Sequence, residues 1–395
     1  MPQDKKDKNL NVPPLRFPGF TDEWETHRLS SYAKKITKKN KGNKISNVLC
    51  NSASLGIIPQ SEYFDRDIAN SENTNNYYII EPGDFVYNPR KSVTAPYGPV
   101  NLYIGSGFGI ISPLYLCFKV DNLSKEFLLH WFKGYSWHRY VYSYGDTGVR
   151  YDRVSIKDDV FLDMPISLPS ICEQNKISTL LTLIDERIAT QNKIIEDLKK
   201  LKSAIIDKLY SNVRGNSCNY SDLFTVVSER NSKRLYKKVI AASQEYGMVE
   251  RDSLNLKIQF DEESINTYKI INSGDYVIHL RSFQGGFAFS RLHGICSPAY
   301  IILRPNDRVE FSYFENFFAS TKFINSLRLV TYGIRDGRSI NVEEWLSMKV
   351  VLPSKEEQRR IIQTIKSIQN KLFNENYILS CLESQRKYCL QNMFK

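Results

Sequence analysis

The chain has 395 residues, a formal net charge of +11, 25% charged and 42% hydrophobic residues. That length suits two or three domains with cores of their own, and that balance excludes wholesale disorder. No apolar run approaches the roughly 20 residues that cross a bilayer, the N-terminus lacks a signal-peptide core, and seven cysteines without a CxxC do not suit a disulfide framework, so a reducing, cytoplasmic setting is expected.

In chain order, residues 1–17 read as a flexible lead-in, polar as far as Val12 and followed by Pro13-Pro14. Residues 18–165 alternate short β-rich runs (77–80, 84–87, 115–118) with Gly, Pro and Asn turns, and one helix is expected near 125–140. Residues 166–214 differ in kind. From 170 to 211 there is no Pro or Gly, and apolar side chains recur in alternating steps of four and three: Ile177, Leu181, Ile184, Ile188, Ile195, Leu198, Ile205 and Leu209. That is the seam of a coiled coil. Ser170, directly after a proline and three residues before Glu173, has capping-box spacing for the start of this helix.

The pattern then begins again. Residues 215–350 repeat the mixed α+β character, with runs at 276–278 and 300–303 and a helix near 312–328, and residues 351–395 repeat the helical region. Leu168-Pro169-Ser170, Glu173-Gln174 and Ile177 match Leu352-Pro353-Ser354, Glu357-Gln358 and Ile361 at a constant offset of 184, with 12 identities in 51 ungapped positions over 161–211 against 345–395. The second seam is Ile361, Ile365, Ile368, Leu372, Leu379, Leu382, Cys389 and Met393, and the polar interruptions share slots: Gln191 with Glu375, Lys202 with Arg386. Gly83-Asp84-Phe85-Val86 returns as Gly274-Asp275-Tyr276-Val277 at offset 191. A repeat this long is a duplicated domain, since solenoid units run about 20 to 50 residues. Residues 1–211 carry +4 and residues 212–395 carry +7, so neither half is a polybasic tail.

Chain order makes the two helices antiparallel if they pack on each other. The expected fold is therefore α+β: two mixed domains alternating with two long helices in an antiparallel coiled coil, with pseudo-twofold symmetry. Two similar basic domains at a fixed separation suit a DNA site in two parts, as dimeric readers place their elements about 34–36 Å apart. Because the domains differ in sequence on a shared frame, the two half-sites should differ as well.

The repeated Leu-Pro-Ser-x-x-Glu-Gln-x-x-Ile joints, the Gly-Asp-aromatic-Val turns, Leu280-Arg281-Ser282-Phe283-Gln284-Gly285-Gly286 and Tyr332-Gly333-Ile334-Arg335-Asp336-Gly337-Arg338 resemble the specificity subunits of type I restriction–modification systems. The resemblance covers the chain beyond its first dozen residues. It implies target-recognition domains at 18–165 and 215–350, and central and C-terminal helical conserved regions at 166–214 and 351–395. It implies a chain with no active site and no cofactor of its own, which joins double-stranded DNA to two methyltransferase subunits and two translocase–nuclease subunits. S-adenosylmethionine, ATP and magnesium would belong to those partners. The first copy departs from the second by having Tyr87-Asn88-Pro89-Arg90-Lys91 where the second has its Gln-Gly-Gly loop.

Candidate DNA contacts follow from side-chain chemistry. Arg90 and Arg281 offer paired donors to guanine, Gln284 matches the adenine edge, and Asn88 and Phe283 lie in the same loops. Lys91 suits a phosphate. Arg150 and Arg153, repeated as Arg335 and Arg338, suit phosphate positioning, with ion pairs to Asp146, Asp152 or Asp336 as the rival reading. The run Lys34, Lys35, Lys38, Lys39, Lys41 and Lys44 is either near phosphate or a solvated face. Catalytic signals are poor: Gly105-Ser106-Gly107 precedes no helix pattern, and the five histidines show no ligand spacing. The rival functions are a self-contained enzyme acting on DNA and an adaptor that binds protein.

Overall fold

Phe85, Val86 and Tyr87 form a strand whose side chains point alternately to two cores, and this explains why the repeated Gly-Asp-aromatic-Val motif reads as an unbroken apolar run. In a computed structural model, which describes residues 11–63, 71–146, 151–243, 246–254, 262–279, 286–332 and 339–395, Phe85 and Tyr87 enter a large core while Val86 enters a smaller one. The neighbouring strand Leu116–Val120 divides in the same way, Leu116 and Phe118 to one side and Cys117 to the other. A sheet covered on both faces has no polar face to show.

Contacts group the chain into two units, Met1–Gln191 with Ile378–Lys395, and Asn192–Tyr377. In the first, the central sheet has the spatial order Ala33–Lys35, Leu116–Val120, Phe85–Tyr87, Val100–Leu102, all antiparallel. A second sheet runs Gly56–Pro59, Val48–Ser52, Gly109–Ile111, Tyr78–Ile80, with one parallel junction at Val48–Ser52 against Gly109–Ile111. Strand Glu25–Arg28 pairs with Pro165–Leu168, closing the unit where the central helix begins.

The second unit follows the same plan. Its central sheet is Phe224–Val227, Ile301–Pro305, Tyr276–Ile278, Phe287–Phe289. Hairpin Ile240–Ser243/Gly247–Glu250 and pair Lys269–Ile271/Gly294–Cys296 are joined by a parallel bridge from Val239 to Ile295, and Asn216–Asn219 pairs with Lys349–Leu352. The Gly-Asp turns are alike too. Gly83 (φ +93°) and Gly274 (φ +98°) take the left-handed conformation, while Asp84 and Asp275 each accept a bond from the backbone N–H three residues earlier, both at 2.8 Å.

The two long helices are Ile171–Ser211 and Lys355–Asn392, the first about 60 Å long at 1.5 Å per residue. In the first unit, Ile177, Leu181 and Ile184 share a core with Cys389, Leu390, Met393 and Phe394; in the second, Ile206 and Tyr210 share one with Ile361 and Ile365. Early residues of one helix meet late residues of the other, so the pair is antiparallel. All sixteen seam positions are buried or half-buried. The apolar face widens where each helix docks on a unit's core: Ile206, Tyr210 and Leu390 are buried beside the seam. A two-position seam serves only a partner helix, whereas a globular core takes a broader stripe.

Three expectations need correction. Residues 12–17, expected within a flexible lead-in, are tied to the first unit. Val12, Leu15 and Phe17 pack against the first core, Leu15 N–H donates to Asn392 O, and Arg16 makes a bidentate ion pair with buried Glu173 at 2.7 and 2.8 Å. The single helix near 125–140 is two, Lys125–Lys133 and His138–Tyr144, interrupted at Gly134, and that near 312–328 is Tyr313–Phe317 and Thr321–Ser326. The capping boxes form on the serine side, with Glu173 N–H donating to Ser170 Oγ and Glu357 N–H to Ser354 Oγ, while the carboxylates pair with Arg16 and Arg360 instead. The glutamines of the joint act as latches. Buried Gln174 donates to Pro169 O and accepts from Ser124 N–H; Gln358 donates to Pro353 O and Arg308 O and accepts from Glu310 N–H.

Candidate nucleic-acid interface

In the first unit, the strand Phe85–Tyr87 runs out into Asn88, Pro89, Arg90 and Lys91. Asn88 is buried: its amide donates to Asn51 O at 3.1 Å and its carbonyl accepts the Arg90 N–H at 3.0 Å. Asn51 in turn donates to Val86 O and accepts from Asn101, so three asparagines brace the strand ends. Gly98 (φ +85°) lets the chain cross here, since a Cβ would stand 2.0 Å from the Asn88 carbonyl oxygen. Asn88 thus positions the loop from inside, and its amide is not presented to a base.

The loop is then held as a ribbon. Lys91 N–H donates to Asp152 O, Val154 N–H donates to Pro89 O, and Arg90 and Arg153 are bridge partners. The Arg90 side chain is exposed, with its Nε 3.8 Å from Asp152 Oδ2, a loose ion pair at the surface. Arg153 is half-buried, and its Nε has no hydrogen-bond partner. Like charges set directly opposite across a ribbon destabilise it. Among the described residues, the carboxylate paired with Arg90 is that of Asp152, and the pair is loose. Tyr115 lies within electrostatic reach of Arg90, Arg153 and Tyr77, and burial pushes its hydroxyl above the usual tyrosine range.

Of the remaining candidates, Arg150, Arg281, Phe283, Gln284, Arg335 and Arg338 lie outside the described residues. Their flanks are anchored: His279 N–H donates to Gly286 O, and Thr331 and Tyr332 pair with Ile340 and Ser339. In the lysine run, Lys35 pairs with Asp158 at 2.6 Å, while Lys34, Lys38, Lys39, Lys41 and Lys44 are exposed.

Known proteins resemble the chain along its length. A type I restriction enzyme specificity subunit, MjaVIII, from Methanocaldococcus jannaschii is 25% identical over 401 positions, covering 90% of this chain and 88% of the relative. Along nearly all of its length the chain is thus similar to a type I specificity subunit. In fold, it is similar to a chain from a type I R-M system studied for complex assembly and conformational transition (TM-score 0.59, 14% identity, 95% of this chain and 98% of that one). It is similar also to the HsdS subunit of Thermoanaerobacter tengcongensis (TM-score 0.52, 14% identity, 98% and 99%) and to the S subunit of M. genitalium (TM-score 0.52, 14% identity, 97% and 99%). No family model matches the chain.

Among the described residues no three His, Cys, Asp or Glu side chains gather as for a metal, and no helix is long and apolar enough to cross a membrane. Burial pushes the thiols of Cys50, Cys117, Cys296 and Cys389 up, that of Cys296 to about 12, which is the wrong direction for a nucleophile. His130 is packed under Thr182, and burial followed by Lys133 pushes it down to about 4.

Proposed function

We propose that this chain is the non-catalytic DNA-recognition subunit of a type I restriction–modification complex, each unit reading one half of an asymmetric bipartite site. The observation that carries the reading is the duplication itself. A central sheet of the same strand order is built twice in one chain, and the sequences that follow its equivalent strands Phe85–Tyr87 and Tyr276–Ile278 differ. A frame repeated with divergent loops is what a reader of two unlike half-sites requires. Arg90 and Arg153, paired across their ribbon with one loosely shared carboxylate, have the chemistry of a duplex contact, to a guanine edge or a phosphate.

The antiparallel helices set the spacing between half-sites and dock two methyltransferase subunits, which bring S-adenosylmethionine. Two translocase–nuclease subunits, with ATP and magnesium, complete the assembly. Exposed apolar side chains on the helices support docking there: Leu183, Ile194 and Leu201 on one, Phe373, Tyr377 and Tyr388 on the other. Selecting duplexes from a random library with the purified chain and its methyltransferase partner should return two unlike half-sites around a spacer of fixed length. Methylation or cleavage by this chain alone, or a single contiguous motif, would sink the reading.

A further inference from the structure

Ten residues at the edge of each unit form the same turn, and it carries most of the chain's excess charge. Asn40 and Asn231 are each 1% exposed. Asn40 donates from its amide to Ile45 O at 2.9 Å and accepts the Ile45 N–H at 3.1 Å; Asn231 does the same with Tyr236 at 2.8 and 3.2 Å. The matches continue through the backbone. Asn40 N–H donates to Tyr77 O as Asn231 N–H does to Tyr268 O, and Ile79 N–H donates to Lys38 O as Ile270 N–H does to Glu229 O. Residues 43 and 234 both take the left-handed conformation, at φ 49° and 52°. These bonds and the left-handed residue all recur at an offset of 191.

The side chains on that frame are not kept, yet their charge is. Residues 38–47 hold four lysines and no acid; residues 229–238 hold five cations against Glu229, so each segment carries +4. Together they account for +8 of the chain's +11. Lys38, Lys39, Lys41 and Lys44 are exposed without an ion pair among the described residues, as are Arg230, Lys233 and Lys237, while Lys238 pairs with Glu250. The left-handed position favours Gly or Asn, and the first unit has Asn43; the second has Arg234, a cation where the backbone alone would choose otherwise. A surface that keeps its charge and its buried clasp while exchanging every cation but the one at 39 and 230 is matched to a uniform polyanion.

We infer that these two asparagine-clasped turns are a pair of phosphate clamps, one in each unit, that hold the DNA backbone without reading its sequence. The inference rests on the DNA-recognition reading above and adds a division of labour to it: the clamps supply affinity, and the divergent sequences that follow strands Phe85–Tyr87 and Tyr276–Ile278 supply choice.

The test uses the full chain with a random-sequence duplex and with the duplex recovered by selection. Each phosphate contact contributes about 0.9 to the slope of log affinity against log salt. Lys39→Gln/Lys41→Gln/Lys44→Gln, and separately Arg230→Gln/Lys233→Gln/Lys237→Gln, should each lower that slope by about 2 to 3. Both should weaken the two duplexes by the same factor and leave the selected sequence unchanged. Asn40→Ala and Asn231→Ala, which keep every cation, should lower the slope in the same direction; the charge variants, all at exposed positions, decide the matter if the asparagine variants fail to fold. An unchanged slope in both triple variants overturns the inference, and so does a changed sequence preference at unchanged slope, which would make the turns readers. A parent chain that binds both duplexes equally, with its slope lowered by the variants, would fail the recognition reading and leave the clamps standing.

Discussion

Asp84 and Asp275 hold the same turn position in the two units and face opposite electrostatic surroundings. Asp275 receives both guanidinium bonds of Arg304, at 2.9 and 2.8 Å. At the equivalent position in the first unit stands Lys119, which pairs with Glu81 instead, and Asp84 Oδ1 is left buried without a hydrogen bond. Burial therefore raises the Asp84 carboxyl above its ordinary value. A raised carboxyl contributes stability that is complete at acid pH and lost as pH rises through the folded value. Asp84→Asn should accordingly raise the unfolding midpoint of the first unit at neutral pH and not at acid pH. Asp275→Asn should destabilise the second unit at neutral pH by about 2 kcal/mol, a buried-pair cost discounted for the partial exposure of Arg304. Thermal unfolding of both variants across pH checks the pair, and equal signs at neutral pH would refute the account.

This residue scale is where the sequence was least legible. Asn88 follows a strand and precedes Pro-Arg-Lys, a context that suits a base contact, and only the positions of Asn51 and Asn101 reveal that its amide is engaged internally. The Asn40 and Asn231 clasps share the 191 offset of the Gly-Asp turns and were detectable from it. The lysines around Asn40 draw attention to charge, while the alignable feature is the neutral residue among them.

At the scale of the element, heptad spacing made both long helices readable, because a seam leaves a periodic record whatever its partner is, and chain order made their antiparallel pairing readable. What spacing does not record is the helix's second task. Helix Lys125–Lys133 is locked to the central helix by His130 Nε2 at 3.0 Å from Thr182 Oγ1 and by Lys133, which joins Arg386 on Asp185. Arg386, a polar break in the seam, is thus half of an inter-helix ion pair. Burial holds His130 neutral, down at about 4. A depressed histidine contributes stability that is complete above its unfolded value near 6.5 and lost as pH falls toward the folded one. His130→Gln should flatten the pH dependence of first-unit stability between about 6.5 and 4, measured by denaturant unfolding against the parent. A variant curve parallel to the parent's would show that the ring does not set this window.

For the whole molecule, the +4 and +7 of the two halves become more specific once the clasped turns are known, because +8 of the total sits in two short segments. The remaining charge is spread thinly, as the many surface ion pairs suggest. The sequence divides at the end of the central helix, but the units do not. The first unit takes its last core residues, Leu390, Met393 and Phe394, from the far end of the chain, whereas the second is one continuous stretch. Deleting residues 378–395 should therefore open the first unit's core and spare the second's. Hydrogen exchange should show lost protection around Phe127 and Trp131, which pack in the shared core, with protection retained around Phe314 and Trp345. Uniform loss across both units would contradict this division.

That borrowed core has a consequence for how the protein is made. When Gln191 leaves the ribosome, the first unit still lacks one wall, and Asn192–Tyr377 must be synthesised before that wall arrives. At about 5–20 residues per second the wait is on the order of ten to forty seconds. During it, Ile177, Leu181 and Trp131 lack the core residues of the last helix, and the second unit has all of its residues at Tyr377, before Leu390, Met393 and Phe394 are made. The half that is translated first is the half that is finished last.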